Sequence, residues 1–272
     1  MIEIKDLTFR YPGQRETLFE DFNMRLEEGK IYGLLGKNGT EKSTLLYLLT
    51  GLLRPKKGKI VCDGMNSSER RPEMLREMFL VPKEFRLPSI SLNDYMALME
   101  PFYPRFSREV MSSCLDEFEL EHDFDLGALS LGEAKKVFMS VALASGARYL
   151  LMDEPTNGLD IPAKSKFRKV VARQMGEGKT IVISTHQVHD VETLIDQVVI
   201  LDRKKLLMNL TVQEITDRYV FQNQNDGNME GVVYTETTLS GLSTMAVRRE
   251  ADHETQVSLE LLFNAVTKGV VK

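Results

Sequence analysis

The stretch Gly36-Lys37-Asn38-Gly39-Thr40-Glu41-Lys42-Ser43-Thr44 decides how this chain is read. Ahead of it, Lys30-Ile31-Tyr32-Gly33-Leu34-Leu35 is an apolar run of the kind that forms a buried strand, and behind it Leu45-Leu46-Tyr47-Leu48-Leu49 is strongly helix-forming. Strand, glycine-bearing loop and helix start together present backbone N–H groups and a helix N-terminus to phosphate. Lys42 adds a positive charge and Ser43 a hydroxyl suited to Mg²⁺. The pattern G-x-x-x-x-G-K-[ST] is broken at one place, where Glu41 replaces the glycine before Lys42. That glycine lets the backbone approach phosphate oxygens, and a carboxylate there repels them. At roughly 5 Å and an effective dielectric of about 20 the repulsion is about 3 kcal/mol. Such a penalty weakens binding on the order of a hundredfold.

The chain around this loop is 272 residues long, 42% hydrophobic and 28% charged, which is ordinary for a globular protein of one main domain and a small appendage. A net charge of −5 gives no electrostatic reason to expect nucleic acid as a partner. Two cysteines, Cys62 and Cys114, form neither a disulfide framework nor a metal motif, and point to a reducing cytoplasm. The start, Met1-Ile2-Glu3-Ile4-Lys5-Asp6, alternates like a strand rather than a signal peptide. No apolar run reaches the roughly 20 residues of a membrane-spanning helix. Action at a membrane therefore requires a partner.

Two alternating strands, Ile2–Tyr11 and Leu18–Leu26, precede the loop, with Pro12-Gly13 turning between them. After a helix over Lys42–Leu52 come a strand at Lys59–Asp63, a polar loop at Met65–Pro72 and a buried strand at Met78–Val81. The texture then turns helical, with amphipathic segments at Leu92–Met99 and Arg108–Phe118, in an insert spanning about residues 85–145. Leu129-Ser130-Leu131-Gly132-Glu133 opens a helix running to Ala144, with Ser130 as its N-cap. Further strands are expected at Arg148–Met152, Thr180–Ser184 and Gln197–Leu201, and helices from Asp160 to Met175 and over Val188–Leu194. Strands alternating with helices imply a largely parallel, helix-covered sheet, with ligands at the strand C-termini. Beyond Arg203, a helix at Val212–Arg218, a polar linker at Asn223–Asn228, strands at Val232–Thr238 and Met245–Arg249, and a helix at Leu259–Thr267 make a small α+β tail.

Three further signals complete a chemical site. Asp153-Glu154 ends an apolar strand, where Asp153 would hold Mg²⁺ and Glu154 would polarise an attacking water. His186 ends another strand, where it reads either as a structural histidine or as a group that would reach a γ-phosphate, and Tyr11 reads either as an edge aromatic or as a platform for a base. With the phosphate loop, "LSLGE" at Leu129–Glu133, "LLMDEPTNGLD" at Leu150–Asp160 and "STH" at Ser184–His186, residues 1–205 resemble the ATP-binding subunit of an ABC transporter.

The resemblance implies an α/β P-loop NTPase of ABC type. Its mixed sheet core carries an N-terminal antiparallel β part and a helical insert, with residues 206–272 as an accessory region. It implies ATP and Mg²⁺ as cofactors and a dimer that sandwiches two ATP molecules. Tyr11 would stack on adenine; Asn38, Gly39, Lys42, Ser43 and Thr44 would bind phosphate, with Ser43 also on Mg²⁺. Ser130, Gly132 and Glu133 would close on the partner's γ-phosphate, and Asp160 would communicate across the dimer. Glu154 would be the catalytic base and His186 the γ-phosphate sensor. The partners implied are a second ATP-binding subunit and a separately encoded transmembrane permease, which would hold the chain on the inner face of the cell membrane. "FYPRFS" at Phe102–Ser107 and "LSLGE" look most like bacterial exporters. Beside Glu41, Lys83 stands where the family usually has a glutamine that contacts Mg²⁺, and Leu131 replaces the first signature glycine. Glu41 motivates an alternative, a nucleotide-binding-defective structural or regulatory partner. A soluble, non-transport ABC ATPase is a third reading, and it lacks the coiled-coil or tandem-domain insertions usual there.

Overall fold

The computed structural model describes residues 1–272 except 38–40, 177, 203, 225–230, 239–240, 250 and 272. β1 (Ile2–Phe9) and β2 (Phe19–Leu26) pair antiparallel, and β3 (Ile31–Leu35) leads into the phosphate loop and α1 (Lys42–Leu49). β4 (Lys57–Cys62), β5 (Met65–Asn66), a 3₁₀ turn at Ser67–Glu69 and α2 (Pro72–Leu75) follow, then β6 (Met78–Val81). The insert contributes α3 (Leu92–Met99) and α4 (Arg108–Phe118), and α5 (Leu131–Ala144) returns to β7 (Tyr149–Asp153). α6 (Ile161–Arg173), β8 (Thr180–Thr185), β9 (Gln197–Asp202) and β10 (Lys205–Thr211) complete the main sheet. The tail is α7 (Val212–Arg218), β11 (Tyr219–Gln224), β12 (Val232–Thr238), β13 (Gly241–Val247) and α8 (Leu259–Thr267).

Among the described residues the strands form a four-stranded sheet, β2-β1-β4-β5, a six-stranded sheet, β10-β9-β3-β8-β7-β6, and a three-stranded sheet, β11-β13-β12. The central sheet is parallel except for β10, which runs antiparallel to β9. Strand periodicity divides its residues between two cores. Ile31, Leu35, Leu150, Met152, Ile181, Ile183 and Val198 face the insert, α5, α6 and the tail. Tyr32, Leu34, Tyr149, Leu151, Val182 and Val199 face α1 and the N-terminal sheet. A sheet covered on both faces explains why its inner strands β3, β7 and β8 are buried throughout.

The structure corrects several local expectations. The helix expected at Val188–Leu194 is only a 3₁₀ turn, Val188–Asp190, because Val188, Val191, Leu194 and Ile195 are drawn individually into the core. Met65–Pro72 is not all loop, since Met65–Asn66 pairs with β4. Asn223 and Gln224, read as linker, end a strand, while 225–228 lie outside the described residues. β10 was not expected as a strand; its pairing with β9 carries the central sheet past residue 205.

Candidate functional site

The central sheet brings the strand-end residues of β3, β7 and β8 side by side, since β3 pairs with β8 and β8 with β7. Lys42, at the start of α1, is 5% exposed and points back into its own loop, donating to the carbonyl oxygens of Gly36 (2.7 Å) and Lys37 (3.0 Å). Its Nζ lies 3.9 Å from Glu154 Oε1. Burial lowers the Lys42 pKa, and Glu154 and Asp153 oppose that by favouring the charged ammonium. Glu154 is buried with φ at 49°, and its Oε1 is 2.8 Å from His186 Nδ1. Ser184 orders this corner. Its hydroxyl donates to Asp153 Oδ1, and the Glu154 N–H reaches both its carbonyl oxygen (3.0 Å) and its hydroxyl (3.2 Å).

Asp153 supplies the test of fit for a divalent cation. Its carboxylate is 1% exposed, and Oδ2 is buried with no hydrogen-bond partner. An acceptor in that state costs free energy unless something cationic or hydrated meets it. With the half-buried Ser43 hydroxyl at the start of α1, the oxygen donors present suit Mg²⁺, which takes one or two protein oxygens and keeps several waters.

Tyr11 sits half-buried beside the loop, with its ring edge-on to Phe9 (centroids 5.0 Å apart) and its hydroxyl 2.9 Å from Thr44 Oγ1. Thr44 is therefore tied to Tyr11 within the chain. Asn38 and Gly39, both expected to bind phosphate, lie outside the described residues. Glu41 has φ of 58° and makes no side-chain cap to α1. Ser130, Gly132 and Glu133 form a separate group at the start of α5. The Ser130 hydroxyl accepts from the Glu133 N–H (3.3 Å), and the Ser130 N–H donates to the Glu133 carboxylate (2.9 Å), a complete capping box.

This geometry pairs a phosphate loop with a strand-end Asp-Glu and a histidine on the next strand. Residues 19–157 match the protein family described as ABC transporter. The chain belongs to that family. It is 32% identical to the cobalt import ATP-binding protein CbiO of Salmonella typhimurium, over 76% of this chain and 79% of the relative. It is 28% identical to the bacitracin transport ATP-binding protein BcrA of Bacillus licheniformis, over 80% of this chain and 72% of the relative. A solved structure described as the ATP binding subunit of an ABC transporter superposes with a TM-score of 0.70 at 27% identity, covering 79% of this chain and 91% of that one. The chain is thus an ABC ATPase subunit with the P-loop fold.

One residue of this ABC subunit's site escaped the sequence reading. Lys135 on α5 is 8% exposed and donates to the carbonyl oxygen of Asn157, in the loop after Glu154. Burial lowers its pKa, and Glu154 and Asp153 pull it back up, so α5 delivers a cation toward the carboxylates. The signal was present: a lysine two residues before Val137 on the apolar face of α5 has no place in a core without a partner. The exposed Lys83 also bears on the site, disfavouring charge on both Lys42 and Lys135.

Proposed function

We propose that this chain hydrolyses Mg-ATP as the motor of a membrane exporter, and that it works as a dimer closing on two nucleotides. The observation that carries the closure is the exposure of two apolar side chains. Ile161 is 84% and Leu131 69% exposed, the highest among the exposed large hydrophobics of the described residues. Both sit on motifs expected at the nucleotide interface, just after Asp160 and just after Ser130. Apolar groups placed there gain by being covered when a second copy or near-copy closes.

In the proposed mechanism Lys42 releases the carbonyl oxygens of Gly36 and Lys37 and turns its ammonium to the phosphates. Glu154, held by Ser184 through its backbone and by His186 through its carboxylate, orients the attacking water and takes up its proton. His186 meets the γ-phosphate. Ser43 and Asp153 would hold Mg²⁺, which when bound supplies charge neutralisation across the phosphate oxygens. Tyr11 would stand against the base, and Ser130 and Gly132 would approach the partner's γ-phosphate.

Attachment to a permease is supported by an apolar groove of about 800 Å³ between the sheet and the insert, lined by Leu52, Met78, Phe79, Pro82, Tyr95 and Phe102. No helix among the described residues is long and apolar enough to cross a membrane. The groove is where a membrane partner would grip. Location on the inner membrane face follows from that attachment. Export is favoured by the short insert with Phe102–Ser107 and by Leu131 in the signature. We further propose residues 1–205, extended by β10, as the ATP-binding unit and the remainder as an accessory unit.

Glu154→Gln tests the reading. The variant is expected to bind ATP at least as tightly as the parent chain and to lose turnover by at least about a hundredfold, measured by phosphate release with isothermal titration alongside. Retained turnover would remove Glu154 from the mechanism.

A further inference from the structure

The mechanism above makes no use of the C-terminal region, yet α8 lies against the loop that carries His186. After Thr185 the chain passes His186 and Gln187 into the 3₁₀ turn and on to Ile195, held by short turn-type backbone bonds such as Val191 N–H to Val188 (3.2 Å). Such a segment has little stiffness of its own. It is gripped from outside by α8. The Leu259 N–H donates to Glu192 Oε1 at 2.7 Å, and Glu260 Oε2 lies 2.8 Å from His189 Nε2. His189 Nδ1 is in turn 3.6 Å from Glu192 Oε2. Beneath these polar ties, Leu259, Leu262 and Val266 share one apolar core with Val188, Val191 and Leu194. Phe263 reaches further: it lines a cavity of about 260 Å³ together with Gly36, Lys37, Thr185, His186 and Val188. One helix of the tail therefore holds the histidine loop and shares a cavity with the start of the phosphate loop.

We propose that α8 positions His186: Phe263 and the Glu260–His189–Glu192 cluster set the histidine loop against the phosphate loop, and the ATPase reaches full rate only with the tail docked. His186 is hydrogen-bonded to Glu154, so a shift of its loop is passed directly to the catalytic carboxylate. A displacement of about 1 Å at a reacting group can cost on the order of a hundredfold in rate. Phe263, Glu260 and Glu192 act here as positioning residues, not as groups that touch nucleotide. The inference rests on the ATPase reading and adds to it a role for the tail.

The test uses the full chain with ¹⁵N-labelled histidine. The four histidine imidazoles are few enough to assign with His186→Gln and His189→Gln. Phe263→Ala and Glu260→Gln are compared with the parent chain, and Gln256→Ala, on the tail outside α8, serves as control. Both α8 variants are expected to shift the His186 imidazole resonance and to lower kcat for Mg-ATP about tenfold, with KM within about twofold, and the control to move neither. Glu260 is on the surface, so Glu260→Gln keeps the test alive if Phe263→Ala loosens the core. A His186 resonance unmoved in both variants, or a loss confined to KM, overturns the proposal. The spectrum needs no nucleotide. A chain that binds no ATP would count against the ATPase reading and leave the resonance to decide the role of α8.

Discussion

Glu41 shows why the phosphate loop calls for glycine at its position. Its φ of 58° lies in the left-handed region, which costs a residue with a Cβ roughly 1–2 kcal/mol. The carboxylate is half-buried, and that burial raises its pKa; Lys204 foremost opposes the rise. Backbone strain and charge are separable. Glu41→Gln keeps the strain and removes the charge, so it should recover most of the on-the-order-of-hundredfold loss in ATP affinity expected from repulsion. Glu41→Gly removes both and should in addition raise unfolding stability by about 1 kcal/mol. Isothermal titration and chemical denaturation measure the two effects. Identical ATP affinity in parent and both variants would refute the repulsion argument.

Glu133 poses the same question for a helix. α5 begins with a capping box, in which the Ser130 N–H and hydroxyl both reach the Glu133 carboxylate and hold its pKa below the usual range. This arrangement secures the helix start and also places a negative charge where a partner's phosphate would approach. Glutamine satisfies the same box without the charge. Glu133→Gln should leave the helix intact and strengthen ATP-driven dimerisation about fivefold, the equivalent of the about 1 kcal/mol between like unit charges roughly 4 Å apart in water. Sedimentation of the variant in a Glu154→Gln background reads this directly, and weaker dimerisation would show that Glu133 serves closure rather than opposing it.

The groove between sheet and insert belongs to the fold as a whole, since its lining comes from the turn after α1, from α2, from β6 and from the insert. Leu52 at 54% and Phe102 at 66% exposure stand at its rim. Leu52→Asp with Phe102→Asp should abolish co-purification with the permease and leave ATP affinity within about twofold, because the groove they line includes neither Lys42 nor Glu154. A lost affinity for ATP would mean that the groove serves the nucleotide site rather than docking. A charge placed in an apolar contact left unpaired costs several kcal/mol, enough to release a transient partner.

Much of this was legible from residue order. Met78–Val81, Leu92–Met99, Arg108–Phe118, Val212–Arg218 and Leu259–Thr267 have the expected bounds, because periodicity, an N-cap or a proline marks each. The motif residues Lys42, Asp153, Glu154 and His186 could be picked out because local chemistry defines them. β10 could not, since its short apolar run at Leu206-Leu207-Met208 fits strand or helix until the edge of β9 that it completes is known. Nor could the failed helix at Val188–Leu194, where burial against α8 overrides local propensity. The residues by themselves determined which chemistry is available, through charge, spacing and chain flexibility. Only tertiary packing decided that Lys42, Glu154 and His186 meet, that Asp153 keeps one oxygen unpartnered, and that Phe263 shares a cavity with Gly36 and Lys37. Those contacts join segments far apart in the chain, and long-range burial, not local preference, selects them.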